Sequence, residues 1–168
     1  MSKTAGKNQD QGGMKVLSDN LSREEIIEKY TKLVEPFFTY IPWLEKVSGS
    51  RVNSMYGGQG IGENSIAFPV YDSTLLSFVN QLSGSELMNY NYAYVYSRNR
   101  LKTPQDELRI IEKSTLYDID ILEGILSRYT LGGMTKGNLW NQAVQEGIYL
   151  QIFLRMKVVL DYWDKRPN

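Results

Sequence analysis

The sequence predicts a mostly α-helical single domain of about five to seven helices, with a long glycine-rich loop and an extended tyrosine-rich segment. Three observations carry this expectation. Apolar residues recur at three- and four-residue spacing along most of the chain after residue 21. Helix-start signals precede those patterns: Ser22 with Glu25, then Asp72, then Thr103 with Pro104. At 168 residues and 42% apolar content, the chain is long enough to bury one sizeable core.

Residues 1–20 read as a disordered polar tail and 21–168 as the helical domain. The opening MSKTAGKNQDQGGMK is too polar and glycine-rich to offset its ordering entropy, and it lacks the apolar centre of a signal peptide. Ser22 to Glu25 forms a capping box, in which the serine accepts from a first-turn amide and Glu25 reaches back. Behind it Ile26, Tyr30, Leu33, Val34 and Phe37 recur at helical spacing. Pro36 and Pro42 break the pattern into a helix and a shorter turn ending near Lys46. Residues 48–64, SGSRVNSMYGGQGIGEN, read as loop, because glycine is frequent and no period is present. A loop of this length is uncommon in a compact domain and is either mobile or functional.

Asp72 caps a helix carrying Leu75, Leu76, Phe78, Val79 and Leu82, which ends at Ser83–Gly84. Tyr90, Tyr92, Tyr94 and Tyr96 then alternate strictly, which places all four on one face of an extended segment. Thr103–Pro104 opens the next helix, with Leu108, Ile110 and Ile111. Leu116 to Tyr129 follows, with Gly132 as its C-terminal cap. The last pattern runs from Leu139 to about Trp163, bent near Gly147. Its residues Ile148, Ile152, Met156, Val159, Leu160 and Trp163 make one apolar stripe, and Leu150, Leu154, Val158 and Tyr162 make a second. A helix apolar on two faces is either central to its domain or docks on another subunit. The central position is favoured, and a homodimer through this helix is the partner expectation.

Composition excludes several chemistries. Nineteen basic residues balance nineteen acidic ones, so no global field attracts nucleic acid or an anionic membrane. With no cysteine, disulfides, thiolate chemistry and thiol-based zinc sites are ruled out. With no histidine, the commonest metal ligand and the usual general base are missing. No catalytic residue, metal site or cofactor is therefore expected. No run approaches the roughly twenty apolar residues a membrane span needs, and a cytoplasmic address is expected.

The ligand-binding candidates are Gly132, Gly133, Lys136 and Gly137 at the helix-to-helix joint, and Tyr92, Tyr94, Arg98 and Arg100 in the tyrosine segment. Glycine at the joint permits positive φ or close approach of another group, and Gly133 is the residue expected to need positive φ. Exposed amides there, a helix N-terminus and Lys136 could hold an anion. The competing reading makes the stretch a structural joint, with Thr135 or Asn138 capping the last helix and Trp140 buried against the helix ending at Tyr129. The tyrosine row with its basic flank Arg98, Arg100 and Lys102 could stack bases. The competing reading lays the rings over the helices with their hydroxyls in water. Asp118, Asp120 and Glu123 sit at a helix start, where the macrodipole favours carboxylates without further cause.

The stretch ILSRYTLGGMTKGNLWNQAVQEGIYLQIFLRMKVVL, with FPVYDSTLLSFVNQL and NYNYAY upstream, resembles a bacterial family known only as a domain of unknown function. The likeness spans roughly residues 68–160. It consists of a helix leading into a glycine-containing turn, a tryptophan-bearing helix, a glycine and an apolar helix. The resemblance implies a small, mostly helical bacterial domain and implies no activity.

The leading functional expectation is a non-catalytic soluble interaction or ligand-binding domain that self-associates through the last helix. The alternative is a binder of nucleotide or nucleic acid through the tyrosine segment and its basic flank. The second alternative is a small histidine-free enzyme.

Overall fold

The structure, a computed structural model, describes residues 21–50, 53–56, 68–136 and 138–162. The expectations for the tail at 1–20, for Gly137 and for Trp163 lie outside the described residues. Among those described, eight α-helices and one two-stranded ribbon form a mostly helical arrangement: α1 (Arg23–Phe38), α2 (Ile41–Val47), β1 (Asn53–Tyr56), β2 (Phe68–Tyr71), α3 (Ser73–Ser83), α4 (Tyr92–Asn99), α5 (Pro104–Lys113), α6 (Ile119–Gly132), α7 (Asn138–Gln145) and α8 (Ile148–Val159). A 3-10 turn at Leu116–Asp118 leads into α6. No described helix is long and apolar enough to cross a membrane.

The capping signals do what their side chains allow. Ser22 Oγ accepts from Glu25 N at 3.1 Å while Glu25 Oε1 accepts from Ser22 N at 2.8 Å. Asp72 Oδ1 accepts from Thr74 N at 2.7 Å, and Thr103 and Asp106 form a second capping box around Pro104. Each such cap supplies partners to first-turn amides that have none inside the helix. Pro36 lies within α1, where its ring removes one backbone donor, and the helix ends two residues later.

Helix α8 lies at the centre, packing against α1, α2, α5, α6 and α7. Its first stripe, Ile148, Ile152, Met156 and Val159, is buried. Phe78 of α3 joins this core edge-on to Phe37, Tyr149 and Phe153, at 6.4, 5.0 and 5.9 Å between ring centroids. Burying such a ring stabilises by about 1.5–3 kcal/mol, so this aromatic cluster fixes how α1, α3 and α8 meet.

Four expectations are corrected. The tyrosine-rich segment is not extended: Tyr92 to Asn99 is α4, crossing α6 so closely that a Cβ on Gly124 would sit 2.7–2.8 Å from Val95. Helical spacing buries Val95 and turns Tyr96 inward, and that packing overrides the local extended pattern. Within the stretch read as loop, Asn53–Tyr56 is a strand that pairs antiparallel with Phe68–Tyr71, Asn53 opposite Tyr71, and residues 51–52 and 57–64 lie outside the described residues. The last helical pattern is two helices, since Gly147 at φ +77° breaks it in the left-handed conformation. Together with helical α4, this raises the count above seven. Finally, Tyr162 leaves the second stripe of α8. The chain reverses at Asp161 (φ 56°), and Tyr162 packs on Phe38 with its hydroxyl donating to Glu35 Oε2 at 2.8 Å.

Candidate functional site

At the glycine-rich joint the backbone turns back on α6. The amides of Gly133, Met134, Thr135 and Lys136 donate to the carbonyls of Tyr129, Leu131, Gly132 and Gly132. Thr135 Oγ1 also donates back, to Gly132 O at 3.3 Å, rather than capping α7. These amides therefore satisfy the end of α6 instead of pointing at a ligand. Gly133 does not need positive φ; its φ is −69°. What it needs is the absence of a side chain, because Trp140 lies directly against its Cα. Trp140 is buried, with Nε1 donating to Thr130 O at 3.0 Å and its ring 5.3 Å from Tyr71. The anchoring of the joint to α6 by Trp140 is as the sequence led us to expect. Gly132 is half-buried under Leu139, and Lys136 is exposed.

The tyrosine candidates part company on α4. Tyr94 and Arg98 are exposed, Tyr92 is half-buried, and Tyr96 turns inward to a buried carboxylate. Glu107 of α5 is 2% exposed and accepts from Tyr96 OH on Oε2 and from Tyr129 OH on Oε1, both at 2.6 Å. Arg128 Nη1 stands 3.6 Å from Oε2, its guanidinium over both rings at 5.3 and 4.9 Å. Burial, and then the Glu107 carboxylate, raise the pKa of both phenols above the tyrosine norm. This network ties α4, α5 and α6 together. It was missed in the sequence, although Glu107 lies four residues before Ile111 on the apolar face of α5, which was the available signal. A second buried carboxylate, Glu123, faces Tyr30 of α1 and, after burial itself, raises that phenol further. Among the described residues no three carboxylates converge to hold a metal ion.

The second stripe of α8 lines a cleft. Leu150, Leu154 and Val158 face Leu108 and Ile111 of α5 across a groove of about 540 Å³. Leu150 and Leu154 are half-buried, and Val158 is 43% exposed. The three span nine residues of helix, a rise of about 12 Å at 1.5 Å per residue, so the floor is a trough rather than a compact hollow. Glu112 and Glu146 stand on its edges, with Gln151 and Arg155. Arg155 is held by its Nε donating to Ser114 O at 2.9 Å, so its orientation is fixed by the chain itself. The trough is thus apolar along its length and carries two carboxylates and the Arg155 guanidinium at the rim. One face of α8 is central, as expected, and the other opens on a groove.

Comparison of the chain with protein-family models, curated proteins and solved structures gives no match.

Proposed function

We propose that this is a non-catalytic interaction domain that binds an apolar, basic-flanked segment of a partner in the α5/α8 groove. The observation that carries the reading is the second apolar stripe of α8. It is left partly open along about two helical turns, beside Glu112 and Glu146. A linear apolar trough fits the apolar face of an amphipathic helix, whose anchors recur at the same three- and four-residue spacing. Glu112 and Glu146 outnumber the one cation, Arg155, and favour lysine or arginine beside those anchors over acidic competitors. A bacterial setting belongs to the same proposal and rests on the resemblance over residues 68–160.

The test is fluorescence anisotropy with two synthetic helical peptides, one with leucine anchors and lysine flanks, the other with glutamate in place of lysine. The lysine peptide should bind in the micromolar range or tighter, and the glutamate peptide at least about tenfold more weakly. Val158→Ser should weaken the lysine peptide, and Glu112→Gln with Glu146→Gln should erase the difference between the two. Equal binding of both peptides, or binding indifferent to Val158, would refute the groove. Sedimentation at rising protein concentration covers the homodimer: a dimer lost in Val158→Ser would make a second copy the occupant instead.

A further inference from the structure

We infer that the corner between α4 and α5 is a binding site for a phosphate-type oxyanion. A small cleft of about 130 Å³ there is lined by Asn99 and Arg100 from the end of α4 and by Asp106, Arg109 and Lys113 from α5. The cleft is open and small, with room for a group of the size of a tetrahedral oxyanion. Three cations meet at the cleft, two of them on α5, and of the three Arg109 alone is ion-paired among the described residues, to Asp106. Arg109 and Lys113 are four residues apart on one helix face, where like charges repel rather than support the helix. Arg100 closes α4 at φ 56°, a left-handed conformation that glycine or asparagine adopts with less strain than arginine.

The one carboxylate present does not neutralise the group. Asp106 Oδ2 accepts from the amides of Lys102 and Thr103 at 3.0 and 3.1 Å, and Oδ1 accepts from Arg109 Nη1 at 3.2 Å. It is engaged as the cap of α5. Among the described residues, neither Arg100 nor Lys113 forms an ion pair within 4.0 Å. A guanidinium fork and an ammonium across a small cleft match phosphate oxygens, the first by paired hydrogen bonds and the second as a point charge. Asn99 is held in place by its Nδ2 donating to Val95 O at 2.8 Å, which fixes that side of the cleft. The ligand is the phosphate group itself, either free or as a phosphomonoester of a small molecule.

The test is thermal melting with inorganic phosphate and with glycerol 3-phosphate, each up to about 10 mM and each matched in ionic strength by sodium chloride. The wild type should melt higher in one or both anions than in chloride. Arg100→Asn suits the left-handed backbone and leaves folding intact, and Lys113→Gln keeps a good helix former. Each should reduce the anion affinity at least tenfold without lowering the melting temperature in chloride. Lys136→Gln, at the α6–α7 joint, should leave the anion response unchanged. Tighter binding of glycerol 3-phosphate would identify a phosphomonoester, and equal or tighter binding of inorganic phosphate the free ion. No rise beyond chloride, or a rise that survives both cleft substitutions, would overturn the site.

Discussion

Gly133 and Trp140 occupy each other's space: a Cβ on the glycine would lie 2.8 Å from Cε2 of the indole and closer still to its Nε1. The joint between α6 and α7 is built on this contact. Gly133→Ala must push the indole away from the Thr130 carbonyl it donates to, and should cost about 1–3 kcal/mol as overpacking. Trp140→Ala should cost about 3–5 kcal/mol, as for a buried large aromatic. In urea unfolding the double variant should be less destabilised than the sum, because the alanine at 133 no longer meets a ring. Additive effects would show that the two residues do not bear on each other.

Tyr129→Phe should cost about 1–3 kcal/mol, because it takes the hydroxyl from Glu107 Oε1 and leaves a buried carboxylate oxygen short of a donor. Tyr117→Phe is the comparison: Tyr117 is 52% exposed, and the change should stay within about 0.5 kcal/mol. Similar values for the two would remove the buried network from the account of stability.

Alkaline titration should separate the tyrosines. Burial is the first cause raising the pKa of Tyr30, Tyr96, Tyr129 and Tyr149, with Glu123 and Glu107 adding to the first three. A folded pKa above the unfolded value of 10.0 means the folded state keeps a proton that the unfolded chain loses. The stability from these phenols is therefore fully present below pH 10 and declines as pH rises beyond it. Absorbance of ionised tyrosine should show these four appearing only with loss of the helical circular dichroism. Their ionisation in the folded state would count against their burial.

Asp120 carries the opposite consequence for a carboxylate. Burial raises its pKa above 3.8, with Asp118 adding, while its own and the Ile121 amide and Arg98 pull it down. An aspartate raised in the folded state destabilises once it is ionised, so the penalty is absent below the unfolded pKa and complete above the folded one. Asp120→Asn should therefore stabilise the protein at pH 7 and change little near pH 3. A variant less stable at pH 7 would assign Asp120 a favourable ion pair with Arg98.

Lys136→Ala should leave stability within about 0.5 kcal/mol, since the side chain is exposed and the joint is held by backbone bonds. It should also leave any phosphate-induced stabilisation intact. Phosphate stabilisation lost in this variant would return the anion site to the glycine joint.

Local signals carried the helix boundaries well. Ser22, Asp72 and Thr103 could be read as caps because a capping bond joins residues two or three apart, and nothing distant is needed to make it. The core stripe of α8 was legible for the same reason, as was the burial of Trp140, whose neighbours Leu139 and Ala143 mark the inward side of α7. Less could be read where an extended and a helical pattern compete. The alternation of Tyr90 to Tyr96 satisfies period two, yet Val95 docking over Gly124 decides for a helix, and that partner lies twenty-nine residues away.

By its own order of residues the chain determined a mostly helical fold, the capped starts of α1, α3 and α5, and an α8 with two apolar faces. These follow from spacing and from bonds within one helical turn. Only the tertiary structure decided that Gly133 serves Trp140 rather than a turn, that Glu107 is a buried acceptor for two tyrosines, and that Arg100, Arg109 and Lys113 meet at one cleft. It also decided that the second face of α8 opens on a groove beside α5. Each of these depends on which helices cross and at what distance. That is set by the sum of many weak packing contacts across the fold, which local spacing does not encode even where the partners are as near in sequence as Gly133 and Trp140.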